Sequence, residues 1–497
     1  MRIFPPHATD FYKTGHIKQY PEGTEYVYSN FTCRSDKFLN TLPDFDHKVV
    51  FFGLQGVCQW LLIDLWNKEF FQRPKAEVVA RYKRRMDNAL GEGAVSTDHI
   101  AALHDLGYLP VLIKALPEGS RVDIRVPMWT IVNTDHNFYW VTNYLETQLS
   151  AELWKMVTSA TEAYEYRRLF DQYAKVTGTP KEFVPWQGHD FSFRGMSGIT
   201  DAAQSGAAHL LSFTGTDTIA AIDYLEDYYN GAATFVGGSV PATEHSVMCM
   251  GGDGIDELET FQRLITKVYP KGIVSIVSDT WDFWKVITDY SQQLKYVILH
   301  RDGKVVFRPD SGDPVKIIIG DPDAPVGSPA YKGAVECLWD IFGGTVTETG
   351  HKTLDSHVGL IYGDSISLTR AQAILAGLYS KGFSSSNIVF GIGSYTYQYV
   401  TRDTLGTAIK ATWGMVKGEE RELFKDPKTD NGMKKSARGL LKVIQEDGHF
   451  KLVDGRTLTE YPPVDEQDDA LESVFLNGEL TRFETLAEIR ERLLTNK

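Results

Sequence analysis

The spacing of hydrophobic positions changes along the chain, and the change divides it. In roughly the first 150 residues, EYVYSNF, HKVVFFGLQ and RVDIRVPMWTIVNT read as short strands. VPMWTIVNT alternates between Pro and Asn punctuation as an antiparallel sheet does. Gln55 to Phe71 and Lys75 to Leu90 carry helical spacing. From about Phe138 to Val176 the spacing is helical again and rich in tyrosine.

The middle of the chain follows another rule. Short apolar runs recur, most ending in Gly, Asp, Ser or Arg: HDFSFRG, HLLSFTGTD, TFVGGSVPATEH, GIVSIVSDTWD, KVVFRPDSGD, GLIYGDS and NIVFGIGS. The segments between them, such as TDTIAAIDYLEDYYNG and SLTRAQAILAGLYSKGF, suit amphipathic helices. Alternation of strand and helix implies a parallel sheet, and near-continuous apolar strands imply burial on both faces. Seven such units predict an α/β fold, a (β/α) barrel, whose active site lies at the C-terminal ends of its strands.

Composition narrows the function. The chain has 497 residues, room for two or three domains, and 42% hydrophobic content, enough for a substantial core. A formal net charge of -14 argues against a nucleic-acid or anionic-membrane partner. It leaves room for small phosphorylated substrates held by local Arg and Lys. Cys33, Cys58, Cys249 and Cys337 are far apart and form no CxxC pair, so neither a disulfide framework nor a zinc site is expected. With no signal-like apolar run near Met1 and no apolar stretch of ~20 residues, a cytoplasmic protein is expected.

The predicted strand ends carry Arg194, Asp217, His245, Asp279, Arg308, Asp310 and Asp364. Gly, Asp and Ser commonly make turns and caps after strands, which explains the acids singly but not the two arginines and the histidine. FRPDSGD sets a guanidinium and a carboxylate on one rigid turn. The first suits phosphate; the second suits sugar hydroxyls or a Mg²⁺ carried by a polyphosphate. The alternative is a surface ion pair. In YGDSISLTR and FGIGSYTYQ, Gly at the strand end lets backbone N–H groups approach a phosphate. In TGTDT, Thr216 or Asp217 is by default a helix N-cap; otherwise Asp217 points inward and accepts from a neutral amide. Of Phe191 and Phe193, one is expected in the core and the other stacked on a flat heteroaromatic ring. The Asp and Tyr of ATDFYK by default belong to a capping turn.

These pieces share an order. ATDFYK with QYP, HDFSFRG, FTGTDT, SVPATEHS, VSDTWD, RPDSG, GDS, the TRD at Thr401 to Asp403 and the FKDP at Phe424 to Pro427 resemble the nicotinamide phosphoribosyltransferases, and GIGSYTYQ is similar to their bacterial or phage branch. The resemblance runs from about residue 8 to the C-terminus. It implies a type II phosphoribosyltransferase barrel over residues 151–395, an N-terminal α+β domain over 1–150, and a segment 396–497 returning to that domain. It implies that nicotinamide and phosphoribosyl pyrophosphate, with Mg²⁺, give nicotinamide mononucleotide and pyrophosphate, and that ATP couples to turnover by phosphorylating His245. A homodimer with active sites at the subunit interface is implied as well.

Carried over position by position, the resemblance stacks one face of the nicotinamide ring on Phe191 and the other on Tyr12 from the partner subunit, and puts Asp10 in the substrate-binding set. Asp217 takes the carboxamide, which favours nicotinamide over nicotinate. Arg194, His245 and Arg308 hold the diphosphate; Asp279 and Asp310 line the ribose and Mg²⁺ region; Gly363 and Asp364 bind ribose. Ser275 joins the substrate-binding set. Gly393 and Ser394, with Arg402 and Lys410 across the dimer, take the 5′-phosphate. Lys425 and Lys434 match a basic loop near the phosphates, and Glu244 is placed to orient the His245 ring. Ser394 and Tyr395 replace a Gly-rich run of the vertebrate members, and Ala408 replaces a hydroxyl. A nicotinate phosphoribosyltransferase and a non-catalytic nucleotide-binding protein on the same scaffold are the alternatives.

Overall fold

The computed structural model describes residues 3–251, 257–425, 437–458 and 468–495. It contains two principal sheets of opposite kinds. The first is antiparallel and seven-stranded, in the order Glu419–Glu422, Ala408–Val416, Thr24–Thr32, Pro127–Asn133, Val111–Ala115, Glu472–Leu476, Glu479–Leu480. Four of its strands come from beyond residue 400; two of them, Ala408–Val416 and Glu472–Leu476, pair with strands from the first 133 residues, and the other two extend these as the sheet edges. Pro127 opens its strand where the register against Thr24–Thr32 shifts, as a residue with no N–H to give the ladder should. The cross-strand pair Phe31 and Trp129 stacks at 5.4 Å within a core that holds both fully buried.

The second sheet is parallel, in the order Gly215–Thr216, Gly188–Asp190, Val389–Ile392, Val358–Tyr362, Val305–Arg308, Val274–Val277. Its two edges are bridged by the segment around Gly238 to Thr243. Thr216 N–H donates to Gly238 O (3.0 Å) and Gly238 N–H to Thr214 O (2.8 Å) on one side. On the other, Ser275 N–H donates to Pro241 O and Thr243 N–H to Ser275 O, each at 2.9 Å. Around this curled ring the segments follow in chain order. Two of the seven expected runs differ from plain strands. In HLLSFTGTD the His ends the helix Ile199–His209, the first Leu caps it, and only Gly215–Thr216 is strand. TFVGGSVPATEH contributes isolated bridges, because its Gly-Gly and Pro leave little ladder to form.

A 32-residue helix, Glu146–Thr177, runs through the expected boundary at residue 150. Leu149, Leu153, Met156 and Val157 belong to the core under the antiparallel sheet; Ala163, Tyr166, Leu169 and Phe170 belong to the barrel core. One helix thus serves both cores, and no linker separates them there. The expected helices at Lys75–Leu90 and within TDTIAAIDYLEDYYNG and SLTRAQAILAGLYSKGF form, the last two as Ile219–Tyr229 and Leu368–Ser380. Among the described residues, no helix is long and apolar enough to cross a membrane.

Candidate active site

A cavity of about 990 Å³ opens at the C-terminal ends of the parallel strands, lined by Phe191, Arg194, Asp217, His245, Arg308, Asp310, Gly363 and Asp364 among others. A second cavity of about 590 Å³ continues into the lumen. It shares Phe191, Asp217, Ala242 and Arg308 with the first and adds His189, Ser239 and Ser275.

Phe191 forms the floor between the two. Its ring lies against the ends of two strands where both facing residues are glycine. A Cβ at Gly363 would stand 2.6 Å from Phe191 Cδ2, and one at Gly391 would stand 2.3 Å from it. These glycines therefore seat the ring. For Gly363 that is a steric duty which the sequence pattern did not distinguish from ligand binding. Phe193, expected as the alternative, is exposed at the cavity rim.

Asp217 is not a helix cap. The following helix starts at Ile219, and Thr218 N–H is taken by Thr216 Oγ1 at 2.9 Å. The Asp217 carboxylate instead accepts from His189 Nε2 (2.9 Å) and Ser239 Oγ (2.6 Å), both on Oδ1. Burial alone would raise this carboxyl; the hydrogen bond and charge of His189, the Ser239 hydroxyl and Arg308 outweigh it and hold it below the usual carboxylate range.

The Arg308 guanidinium donates from Nη2 to Thr243 O (2.6 Å) and lies 3.4 Å from Asp310 Oδ2. This fixes the end of its strand against the bridging segment that carries His245. Asp279 proves to be a hub. Its Oδ2 accepts Asp310 N–H (2.9 Å) and Ser311 Oγ (2.6 Å), and its Oδ1 lies 3.2 Å from His245 Nε2. Its side chain is almost fully buried and does not line the cavity, so it shapes the Arg–Pro–Asp turn and aims the histidine rather than facing the ribose region directly. Glu244, expected to orient that ring, instead accepts from Ser246 Oγ. Asp310 does face the cavity, and burial pushes its carboxyl up, assisted by the charges of Asp279 and Asp364 and opposed by Arg308 and His245.

The remaining residues fall in three places. Ser275 is buried in the lumen, and its Oγ has no hydrogen-bond partner. Gly393 opens the short helix Ser394–Tyr397, and Ser394 packs against Gly195, where a Cβ would meet its Cβ at 2.6 Å. Asp10, Tyr12, Arg402 and Lys410 cluster on the antiparallel-sheet side and line neither cavity. Asp10 hydrogen-bonds Tyr12 and accepts from Thr147 Oγ1 (2.7 Å), and Arg402 acts electrostatically on both Tyr12 and Lys410. Burial, together with Arg34, Lys13 and Arg402, lowers the Lys410 pKa against the pull of Glu146. Lys425 is exposed beyond the Glu419–Glu422 strand, and Lys434 lies outside the described residues. His189, in HDFSFRG, carries no role in the sequence pattern alone. The signal was the two-residue alternation that puts it on the same face as Phe191.

Comparison with known proteins shows the family and the fold. The sequence pattern of the nicotinate phosphoribosyltransferase (NAPRTase) family matches residues 186–478, and that of the nicotinamide phosphoribosyltransferase N-terminal domain matches residues 6–112. The chain is 63% identical to a nicotinamide phosphoribosyltransferase of Acinetobacter baylyi, over 99% of this chain and 97% of that one. It is 32% identical to one of Xanthomonas campestris pv. campestris, over 97% and 96%. Among solved structures it resembles human nicotinic acid phosphoribosyltransferase (TM-score 0.59, 15% identity, covering 98% of this chain and 93% of that one). It also resembles nicotinate-nucleotide pyrophosphorylase from Pyrococcus furiosus (TM-score 0.57, 17% identity, 99% and 95%). The fold is that of the type II phosphoribosyltransferases, and the chain belongs to the nicotinamide phosphoribosyltransferase family.

Proposed function

We propose that this enzyme transfers the phosphoribosyl group of phosphoribosyl pyrophosphate to nicotinamide, giving nicotinamide mononucleotide and pyrophosphate in NAD salvage. The observation that carries the reading is the single cavity that joins an aromatic floor and an amide acceptor (Phe191, Asp217) to a diphosphate-suited cluster (Arg194, His245, Arg308) across Asp310 and Asp364.

Nicotinamide stacks on Phe191 with its carboxamide N–H on Asp217, which turns the pyridine nitrogen toward the ribose. The C1–oxygen bond to the diphosphate breaks as the nitrogen–C1 bond forms, through a state with oxocarbenium character. No nucleophilic side chain is needed. The chain supplies positioning and charge: arginines on the leaving diphosphate, carboxylates on the ribose face. Gly393 and Ser394 take the 5′-phosphate. Burial, with the charges of Asp279 and Asp364 adding, pushes the Asp310 carboxyl up; a cation would relieve the charge repulsion, so Asp310 and Asp364 suit a Mg²⁺ carried by the diphosphate. Bound there, Mg²⁺ would neutralise charge on the leaving group.

ATP coupling through His245 belongs to the same reading. The half-exposed ring donates through Nε2–H to Asp279, which leaves the Nδ1 lone pair to attack the γ-phosphorus of ATP as ADP departs. A homodimer accounts for the second cluster: Tyr12 is 61% exposed, and Asp10, Arg402 and Lys410 beside it line neither of the two cavities described. In a dimer they would complete the partner's site. Pyrophosphate release by the purified protein tests the reading: it should require both nicotinamide and phosphoribosyl pyrophosphate, and no release with both and Mg²⁺ present refutes it.

A further inference from the structure

Alternation along Gly188–Asp190 sends His189 and Phe191 to the lumen. The His189 ring is confined on two sides. Phe191 meets it edge to face at 5.0 Å, and a Cβ at Gly215 would sit 2.7 Å from its Nδ1. So held, the ring brings Nε2 to Asp217 Oδ1, the oxygen that also receives the Ser239 hydroxyl. Two donors converging on one oxygen fix the rotation of the carboxylate and leave Oδ2 for a donor arriving from the cavity.

The choice of donors matters for what can enter. A carboxamide offers N–H donors, whereas a carboxylate offers only acceptors. A lysine or arginine in place of His189 would fix Asp217 equally well but would cancel its charge and welcome an acid. An imidazole N–H and a hydroxyl orient the carboxylate without setting a permanently charged group against it.

We propose that His189, supported by Ser239, is a specificity-determining positioning residue: it holds Asp217 as an acceptor for the ring substrate's carboxamide N–H and so sets the preference for the amide over the acid. The proposal rests on the assignment of Asp217 to the carboxamide.

Steady-state kinetics of the full-length protein with nicotinamide, nicotinate and phosphoribosyl pyrophosphate test it in His189→Leu, His189→Gln, Ser239→Ala and Asp217→Asn. Leucine keeps bulk but has no donor; glutamine restores an N–H near the position of Nε2. His189→Leu should lower kcat/KM for nicotinamide by about tenfold or more while the KM for phosphoribosyl pyrophosphate stays within about twofold. His189→Gln should recover most of the loss, and Ser239→Ala, at an exposed position, should show a smaller fall in the same sense. The nicotinamide-to-nicotinate ratio should drop in both donor-less variants. Equal impairment of the leucine and glutamine variants, or parallel loss for both substrates, overturns the proposal. If Asp217→Asn shifts the ratio while His189→Leu and Ser239→Ala do not, the His189 role alone falls. If Asp217→Asn leaves the ratio unchanged, the Asp217 assignment falls and takes this proposal with it. Should His189→Leu fail to fold, Ser239→Ala decides alone, since an unchanged ratio there overturns the shared positioning.

Discussion

Replacing Gly391 with alanine isolates the seating of the aromatic floor. The new Cβ would lie 2.3 Å from Phe191 Cδ2 and 2.6 Å from the Cα of Gly363. Carbon atoms pack at about 3.5–4.0 Å, so the ring must retreat by about 1 Å or more. Gly363 Cα is the backbone of the adjoining parallel segment and cannot give way, and His189 sits edge-on to the ring at 5.0 Å. Overpacking of this kind costs about 1–3 kcal/mol of stability. A displacement near 1 Å at a substrate-positioning group can cost about 10²-fold in rate. Gly391→Ala should therefore lower the urea midpoint and reduce kcat/KM for nicotinamide far more than for phosphoribosyl pyrophosphate. Phe191→Leu in the same chain should relieve the ring's share of the clash, though not the contact with Gly363 Cα. The double variant should be more stable than the two single effects add up to, by about 0.5–3 kcal/mol, without recovering nicotinamide affinity. Additive stabilities, or a Gly391→Ala enzyme whose loss falls on phosphoribosyl pyrophosphate instead, would refute the steric argument.

Three further outcomes are expected. Tyr12→Ala should weaken nicotinamide binding while Tyr12→Phe does not, because stacking needs the ring and not the hydroxyl; equal KM values for the two variants would remove the partner-ring role. His245→Ala should abolish stimulation by ATP and keep some basal transfer, measured as pyrophosphate release with and without ATP; stimulation that survives rules out the phosphohistidine. Glu118 is fully buried and pushed up to about 7 by that burial, with the charge of Glu484 adding, against donors from Gly53 N, Gln55 N and Tyr229 OH. The unfolded chain releases this proton at a lower pH than the folded one. Glu118 therefore favours folding at acid pH, and that contribution shrinks as pH rises toward 7, by at most about 3 kcal/mol at about 1.4 kcal/mol per unit. Urea unfolding at pH 5 and pH 7.5 should show this pH-dependent loss in the wild type relative to Glu118→Gln, and parallel pH profiles would contradict it.

The parallel sheet was legible because its strands are buried on both faces, so Val274–Val277 and Val358–Tyr362 stand out as apolar runs with polar residues just beyond. The same logic exposed the strand-end residues, since a barrel gathers whatever follows its strands. It overstated HLLSF, whose apolar residues belong to a helix end and a turn that pack inward without any ladder. Contacts between distant segments were hidden. Nothing in SDTWD says that Asp279 spends both oxygens on His245 and the Asp310 turn rather than on ligand, and nothing local to Gly391 announces a ring from residue 191. Val111–Ala115 and the strands after residue 400 were not singled out beforehand, because a strand that completes a sheet far away in sequence carries no mark of its partner.

The central claim is that Asp217, held as an anion at the end of its strand, selects an amide. The most direct measurement supplies equal nicotinamide and nicotinate with limiting phosphoribosyl pyrophosphate and Mg²⁺ and identifies the mononucleotide formed. Nicotinamide mononucleotide is expected from the wild type, with a shift toward nicotinate mononucleotide in Asp217→Asn. Nicotinate mononucleotide as the main wild-type product would contradict it.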